Sequence, residues 1–317
     1  MDWVCPDDRR ALLPRDGKLG CAGCGRDYAL ADGIPLFARD EKESARLRRP
    51  VPLLDELREL MRHRTGDEAE RIFCERYRCS SGRRRADWRL FFAAPPGQPT
   101  LEIGGGTGTP PNDENTIGVV PTLSQALLQR ERLEGTDRTP LIAVTNDLKR
   151  LPLGDRAVGA VVMEDLSVSG FDLSGRSLAA TAAEWRRILI PGGAVFLGSS
   201  NRIRAPRSGS EPLDRLLRRA AGNGSPRGPG LRRAIRAMKR QGFRDPLIHA
   251  ALPDEMEAEV LLPIDDPKRL RYFLDNLVRK NSMPLRAALR IAGVLAGLGL
   301  YRYVVPYRYL LFESEGS

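Results

Sequence analysis

Apolar runs that alternate with helical stretches over residues 99–202 predict an α/β fold, a parallel sheet with helices on both faces. Three observations carry this. The run Leu101–Ile103 ends in glycines at every second position (Gly104, Gly106, Gly108), as a buried strand does when it breaks into a tight turn. Four more short apolar or β-branched runs follow: TIGVV from Thr116, LIAVTNDL from Leu141, AVGAVVME from Ala157 and AVFLGSS from Ala194. Helical or loop sequence separates them, and LSQALLQRERL from Leu123 has clear helical period. Open sheets of this kind take ligands beyond the carboxyl ends of their strands at a switch point, which is where LEIGGGTG ends.

The chain has 317 residues, enough for one large domain with small attachments. It is 41% hydrophobic and 29% charged, ordinary for a soluble protein, but its net charge is +10. That excess favours phosphates, anionic membrane surface or acidic substrates, and an arginine-rich proteome produces it with no partner at all. MDWVCPDDRR lacks the apolar core of a secretory signal, and no segment is apolar for the length of a membrane span, so the cytoplasm is the expected compartment. Three of the five cysteines fall within the first 24 residues, which fits a metal site better than a disulfide framework.

Residues 1–38 read as a small module with two short turns, Cys5-x-x-Asp8 and Cys21-x-x-Cys24. Two such knuckles make the tetrahedral site of a zinc ribbon, in which the ion replaces a core too small to form alone. Asp8 stands where a second cysteine is expected. The set is therefore Cys3Asp with zinc, a weakened site, or a ribbon that folds without metal. Cys21-x-x-Cys24-Gly25-x-x-Tyr28 followed by Asp32-Gly33-Ile34-Pro35 resembles the ribbon domain fused ahead of bacterial methyltransferases, where it is structural or a docking surface.

Residues 39–98 carry helical periodicity in PLLDELRELMRHR and EAERIFCERYR, read as helices capping the next domain. His63, between two arginines, belongs to a solvated face, and Cys74 and Cys79 read as packed thiols. SSGRRR and PPGQP mark the boundary to a domain over 99–317.

The spacing Glu102-x-Gly104-x-Gly106-x-Gly108 differs from the dinucleotide fingerprint and resembles the first motif of class I S-adenosylmethionine (SAM)-dependent methyltransferases. Asp147-Leu148-Lys149-Arg150-Leu151-Pro152-Leu153 is similar to the family segment whose acid closes the third strand. Arg186 to Gly193, RRILIPGG, looks like the family's turn into the fifth, and Asn201-Arg202 follows as in many relatives. The resemblance implies a Rossmann-like sheet, with Glu102 and the three glycines facing the methionine and ribose, and Asp147 with Leu148 at adenine. Asp147 also reads as an ordinary helix N-cap. Two departures stand out. Val120, Pro121 and Thr122 occupy the place of the ribose-binding acid, and Gly159 that of an aspartate before the fourth strand.

Residues 203–232, rich in Arg, Gly, Ser and Pro, read as a flexible insertion whose arginines clamp an anionic substrate or form a solvated loop. His249, in the apolar run LIHAAL, reads as packed in the core and is also the general-base candidate. Glu164 and Asp165, after the fourth strand, are the other acid/base candidates. AIRAMKRQGF reads as a helix ended by Gly242, PLRAALRIAGVLAGLGL as a packed helix with anionic lipid contact as the minor alternative, and YRYLLFES as a closing edge strand. The expected function is methyl transfer from SAM to a small-molecule or sugar-containing metabolite. RNA methylation is the alternative among enzymes, although no base-flipping motif or basic-aromatic run supports nucleic-acid binding. A non-catalytic scaffold that keeps the fold is the third reading.

Overall fold

The computed structural model describes residues 3–80, 95, 97–104, 115–133, 141–163, 171, 173, 175–200, 211–212, 230–252, 260–280, 283–305 and 307–315. At the amino terminus, turn residues punctuate short strands: β1 (Leu12–Arg15), β2 (Lys18–Cys21), β3 (Asp27–Ala31) and β4 (Ile34–Leu36) form an antiparallel meander. Asp16, Gly17, Asp32 and Gly33 take positive φ in the two tight turns, the backbone that Asp-Gly pairs favour in hairpins. Three helices follow: α1 (Glu41–Leu47), α2 (Pro52–His63) and α3 (Gly66–Tyr77). Asp40 caps α1 by accepting from the Glu43 amide at 2.7 Å, and Thr65 caps α3. The apolar faces of α2 and α3 bury Leu54, Leu57 and Phe73 against Leu128. His63 lies exposed and bonds to Glu59 at 3.1 Å, as its sequence setting implies.

After the short β5 (Cys79–Ser80) come β6 (Thr100–Ile103), β7 (Thr116–Val120), α4 (Leu123–Leu133), β8 (Leu141–Val144), β9 (Val158–Met163), α5 (Gly175–Ile188) and β10 (Leu189–Ser200). β6, β7 and β9 are buried at every residue. Runs without alternation need cover on both faces, which a parallel sheet between helices supplies. The parallel order is β8-β7-β6-β9-β10. The chain starts in the middle, builds outward to β8, then returns to the other side of β6. This is the doubly wound, Rossmann-like α/β layout that the sequence predicts, with its switch point between β6 and β9. Gly193 has a local reason: a Cβ there would lie 2.9 Å from the Gly159 carbonyl, so β9 and the turn into β10 pack backbone to backbone.

The amino-terminal meander does not stand apart from this sheet. β4 pairs in parallel with β8 through Leu36 and Val144, and the Phe37 amide donates to the Val144 carbonyl at 2.8 Å. A single twelve-stranded sheet results. At its far side, β12 (Leu247–Leu252), β13 (Val260–Pro263) and β14 (Tyr307–Glu313) are added, while β11 (Glu211–Pro212) pairs only with β5. The expectation of a closing edge strand at YRYLLFES is corrected here: β14 lies inside the sheet, antiparallel to both β10 and β12, and β13 is the edge. Its burial explains the position, since Tyr307 to Phe312 are all buried and one face of an edge-ward neighbour could not cover them. The helix before β12 runs over Leu231–Lys239, and Gly242 takes φ +77° just beyond it. Helices Pro267–Lys280 and Met283–Gly297 lie between β13 and β14 in the chain. Among the described residues no helix is long and apolar enough to cross a membrane. Most of the insertion expected at 203–232, including its helical stretch LDRLLRRAA, lies outside the described residues.

One buried acid fastens the meander to the sheet. Glu184 of α5, 5% exposed, accepts from Arg9 at 3.0 and 3.1 Å, from Arg187 at 2.8 and 2.9 Å and from the Leu151 amide at 2.7 Å. Glu184→Ala leaves both guanidinium groups facing a part-buried seam, and it is expected to lower unfolding stability in urea by about 3 kcal/mol.

Candidate functional site

The carboxyl ends of β6, β7 and β8 lie side by side along one rim of the sheet, on one side of the switch point. On β6, Glu102 is 6% exposed and pairs across the sheet with Gly118 and Val162. Two residues on, Gly104 turns the chain at φ +72° while its amide donates to the Val119 carbonyl at 2.8 Å. Glycine is required there because a side chain is strained at that φ. Gly106 and Gly108 lie outside the described residues, as do Glu164 and Asp165.

Beyond β8, Asp147 forms a small Asx turn: its carboxylate accepts from the Lys149 amide at 3.1 Å, and its own amide donates to the Thr145 hydroxyl at 3.1 Å. No helix begins at this turn. Leu148 is buried beside it. The side chain of Asp147 also faces Arg39, 3.9 Å away, across a cleft lined by Tyr28, Phe37, Arg26 and Arg150. The end of the amino-terminal module thus borders the position that the family resemblance assigns to adenine. At the end of β7, Val120 is fully buried against Ile34, Leu36 and Leu47, and Thr122 accepts from the Gln125 amide at 3.3 Å as the cap of α4. No carboxylate stands at that strand end.

His249 sits mid-strand on β12, between Tyr309 and Pro263, and is 8% exposed. Burial lowers its pKa, and Asp265 works against that shift. Four strand spacings separate β12 from β6, roughly 19 Å. The packed-core reading of this residue suits that distance.

The amino-terminal cluster is a second constellation. The ligand atoms of Cys5, Asp8, Cys21 and Cys24 all lie within 4.8 Å of one another. Cys5 and Cys24 sulfurs are 3.6 Å apart, and the Cys21 sulfur lies 3.2 Å from both Asp8 oxygens. Tetrahedral zinc with thiolate bonds requires sulfur separations of about 3.8 Å, so the set fits that ion. The two knuckles share one backbone plan. Cys5 and Cys21 amides donate to the carbonyls of Arg10 and Arg26, and the amides of Arg9 and Gly25 donate back to Cys5 and Cys21. Arg9 and Gly25 both have positive φ, 65° and 71°. This correspondence puts Asp8 in the place of Cys24. Where the second knuckle uses glycine, the first has Arg9, whose side chain reaches Glu184. Asp8 is held below the usual carboxylate range first by the Arg10 amide, whereas burial pushes the Cys21 thiol up to about 11. Tyr28 hydroxyl lies 3.4 Å from the Cys5 sulfur. Among the described residues the cysteines are free of disulfides.

Arg39 escaped the sequence reading, because a long stretch of chain separates it from Asp147.

No protein-family model matches the chain, and no curated protein sequence matches it. Among solved structures it is similar to phosphoethanolamine N-methyltransferase 2 of Haemonchus contortus, at 15% identity and a TM-score of 0.45 over 82% of this chain and 60% of that one. This chain therefore spans about three-fifths of that enzyme's length. It is similar as well to a SAM-dependent methyltransferase of Thermotoga maritima (16% identity, TM-score 0.45, 78% of this chain and 96% of that one). A third is geranyl diphosphate C-methyltransferase of Streptomyces coelicolor (17% identity, TM-score 0.37, 71% of each chain).

The cluster makes a sharp demand on Gly23, where a Cβ would fall 2.0 Å from an Asp8 oxygen. Gly23→Ala is expected to abolish zinc retention by the purified chain, measured by elemental analysis, and Asp8→Cys to strengthen it against chelator by at least about tenfold. Equal zinc content in all three proteins would remove the metal centre.

Proposed function

We propose that the chain is a SAM-dependent methyltransferase of the class I fold that methylates a small-molecule or sugar-containing acceptor. One observation carries the reading. A buried acid two residues before a left-handed glycine ends β6, and an Asp-Leu pair follows β8, two strands away along the same carboxyl-end rim of one doubly wound sheet.

SAM, when bound, supplies a methyl group already activated on a sulfonium. Glu102 and Asp147 supply carboxylates on opposite sides of the turn, suited to a ligand that carries an ammonium and a sulfonium and no phosphate. Leu148 adds apolar surface for a flat base, and the Gly104 turn lets backbone approach the ligand closely. The chain's task is then to orient the acceptor in line with the methyl group, and positioning of this kind needs no dedicated base. Glu164, Asp165 and His249 remain the acid/base residues to test. Cys5, Asp8, Cys21 and Cys24 would hold a structural zinc, away from the chemistry.

A non-catalytic partner protein is the second reading, and Val120 favours it: the slot of the ribose-gripping acid is filled by a core side chain. Calorimetry of the full chain with SAM and its demethylated product separates the two. Binding of both is expected, with Asp147→Asn weakening it by about tenfold and leaving the melting temperature unchanged. Silence at millimolar cofactor would assign the chain to the partner class. For the acceptor, extracts of cells lacking the gene are expected to accumulate one undermethylated metabolite, detectable by mass.

A further inference from the structure

Among the described residues, Arg308 is a strongly basic side chain at the sheet's carboxyl-end level whose charge no acid offsets. It is 4% exposed. Its Nη1 donates to the Arg302 carbonyl at 3.0 Å, while its Nε is buried with no hydrogen-bond partner. No carboxylate pairs with it among the described residues. A guanidinium is the most costly cation to bury unpaired, because it stays charged and has five donors to satisfy. Burial alone holds its pKa down, to about 10, with no neighbouring acid opposing the shift.

Its place in the register matters as much as its isolation. β14 sets Arg308 opposite Ser199 of β10 and Ala250 of β12. Strand alternation puts it on the same face as Leu310 and Phe312, and Ser199 on the same face as Val195 and Leu197. Arg308 is therefore flanked by a buried hydroxyl and a methyl, neither of which offsets its buried charge. Leu197 pairs with Met163 at the end of β9, so Ser199 and Arg308 stand about 7 Å farther along the strand direction, Ser199 roughly 5 Å and Arg308 roughly 10 Å to the side. That is the zone above the carboxyl ends next to the switch point, on the side away from β7 and β8.

We propose that Arg308, with the Ser199 hydroxyl, is an oxyanion subsite that receives a carboxylate or phosphate group of the methyl acceptor. The unused Nε edge of the guanidinium is the part that forms paired hydrogen bonds to such a group. The acceptor is then an anionic small molecule whose charged group lies about 12 Å from the end of β9. This specifies the substrate class within the methyltransferase reading, on which the word acceptor rests; the anion subsite itself does not depend on it.

The test compares the full chain with Arg308→Met and Arg308→Lys. Thermal melts are recorded in sodium phosphate, sodium acetate and sodium chloride at matched ionic strength, and binding of S-adenosylhomocysteine is measured by calorimetry on each protein. Wild type is expected to be stabilised by phosphate or acetate beyond chloride, and whichever ion acts identifies the group. Arg308→Met should melt within about 2 °C of wild type or above it in chloride, since it removes an unpaired buried charge. It should also lose at least about tenfold in affinity for the anion, with Arg308→Lys intermediate. An anion response that is absent from wild type, or the same in all three proteins, overturns the subsite. So does a Met variant that melts far lower while Lys restores stability without restoring anion binding, because the arginine would then be structural. S-adenosylhomocysteine binding should be the same in all three. If none binds it while the anion response follows Arg308, the methyltransferase reading fails and the subsite stands.

Discussion

The structure depends on a single buried carboxylate more than on any other polar group. Glu184 projects from α5 into the seam between the amino-terminal meander and the sheet, and it accepts from Arg9, Arg187 and the Leu151 amide. Arg9 leads from it to the first knuckle, and the Leu151 amide to the segment that starts with Asp147. The Cys5-Asp8-Cys21-Cys24 cluster and the turn at Asp147 are thereby held in one frame. Breaking the parallel pairing of β4 with β8 would therefore disturb more than a peripheral module, because Phe37 and Arg39 continue from that pairing to the cleft beside Asp147.

That arrangement changes how the four metal-ligating residues are regarded. In an isolated ribbon an ion supplies the folding energy that a tiny core lacks. Here Cys5, Leu12, Cys21, Tyr28 and Phe37 belong to the same apolar cluster as Leu101, Leu151 and Trp185. The ribbon shares its core with the large domain.

The sequence was most legible where burial leaves a simple trace. β6, β7 and β9 are short, largely apolar runs buried at every residue because both faces are covered, and the glycine turn and repeated knuckles are short local patterns. Pairings between distant segments leave no such trace. Nothing in Ile34–Leu36 indicates β8 as its neighbour, and Asp147 cannot be matched to Arg39 by spacing. For Asp147 the two sequence readings were adenine contact or helix cap; the structure shows an Asx turn with no helix after it, which removes the cap. β14 was misplaced for a related reason: an apolar run of this length satisfies an interior antiparallel strand as well as an edge, and only the register distinguishes them. Arg308 was obscured by composition, since one arginine attracts little notice in a chain with 51 basic residues.

The interior position of β14 has a bearing on how the molecule is made. Seven residues, Tyr307–Glu313, bridge β10 to the β12–β13 hairpin, so that hairpin has nothing to hydrogen-bond to on its inner side until they have been synthesised. Until then the nascent sheet stops at β10 with an open, apolar border, and such borders are where chains stick to one another. Closure of this part of the sheet must therefore wait for β14, which follows β10, β12 and β13 in the chain.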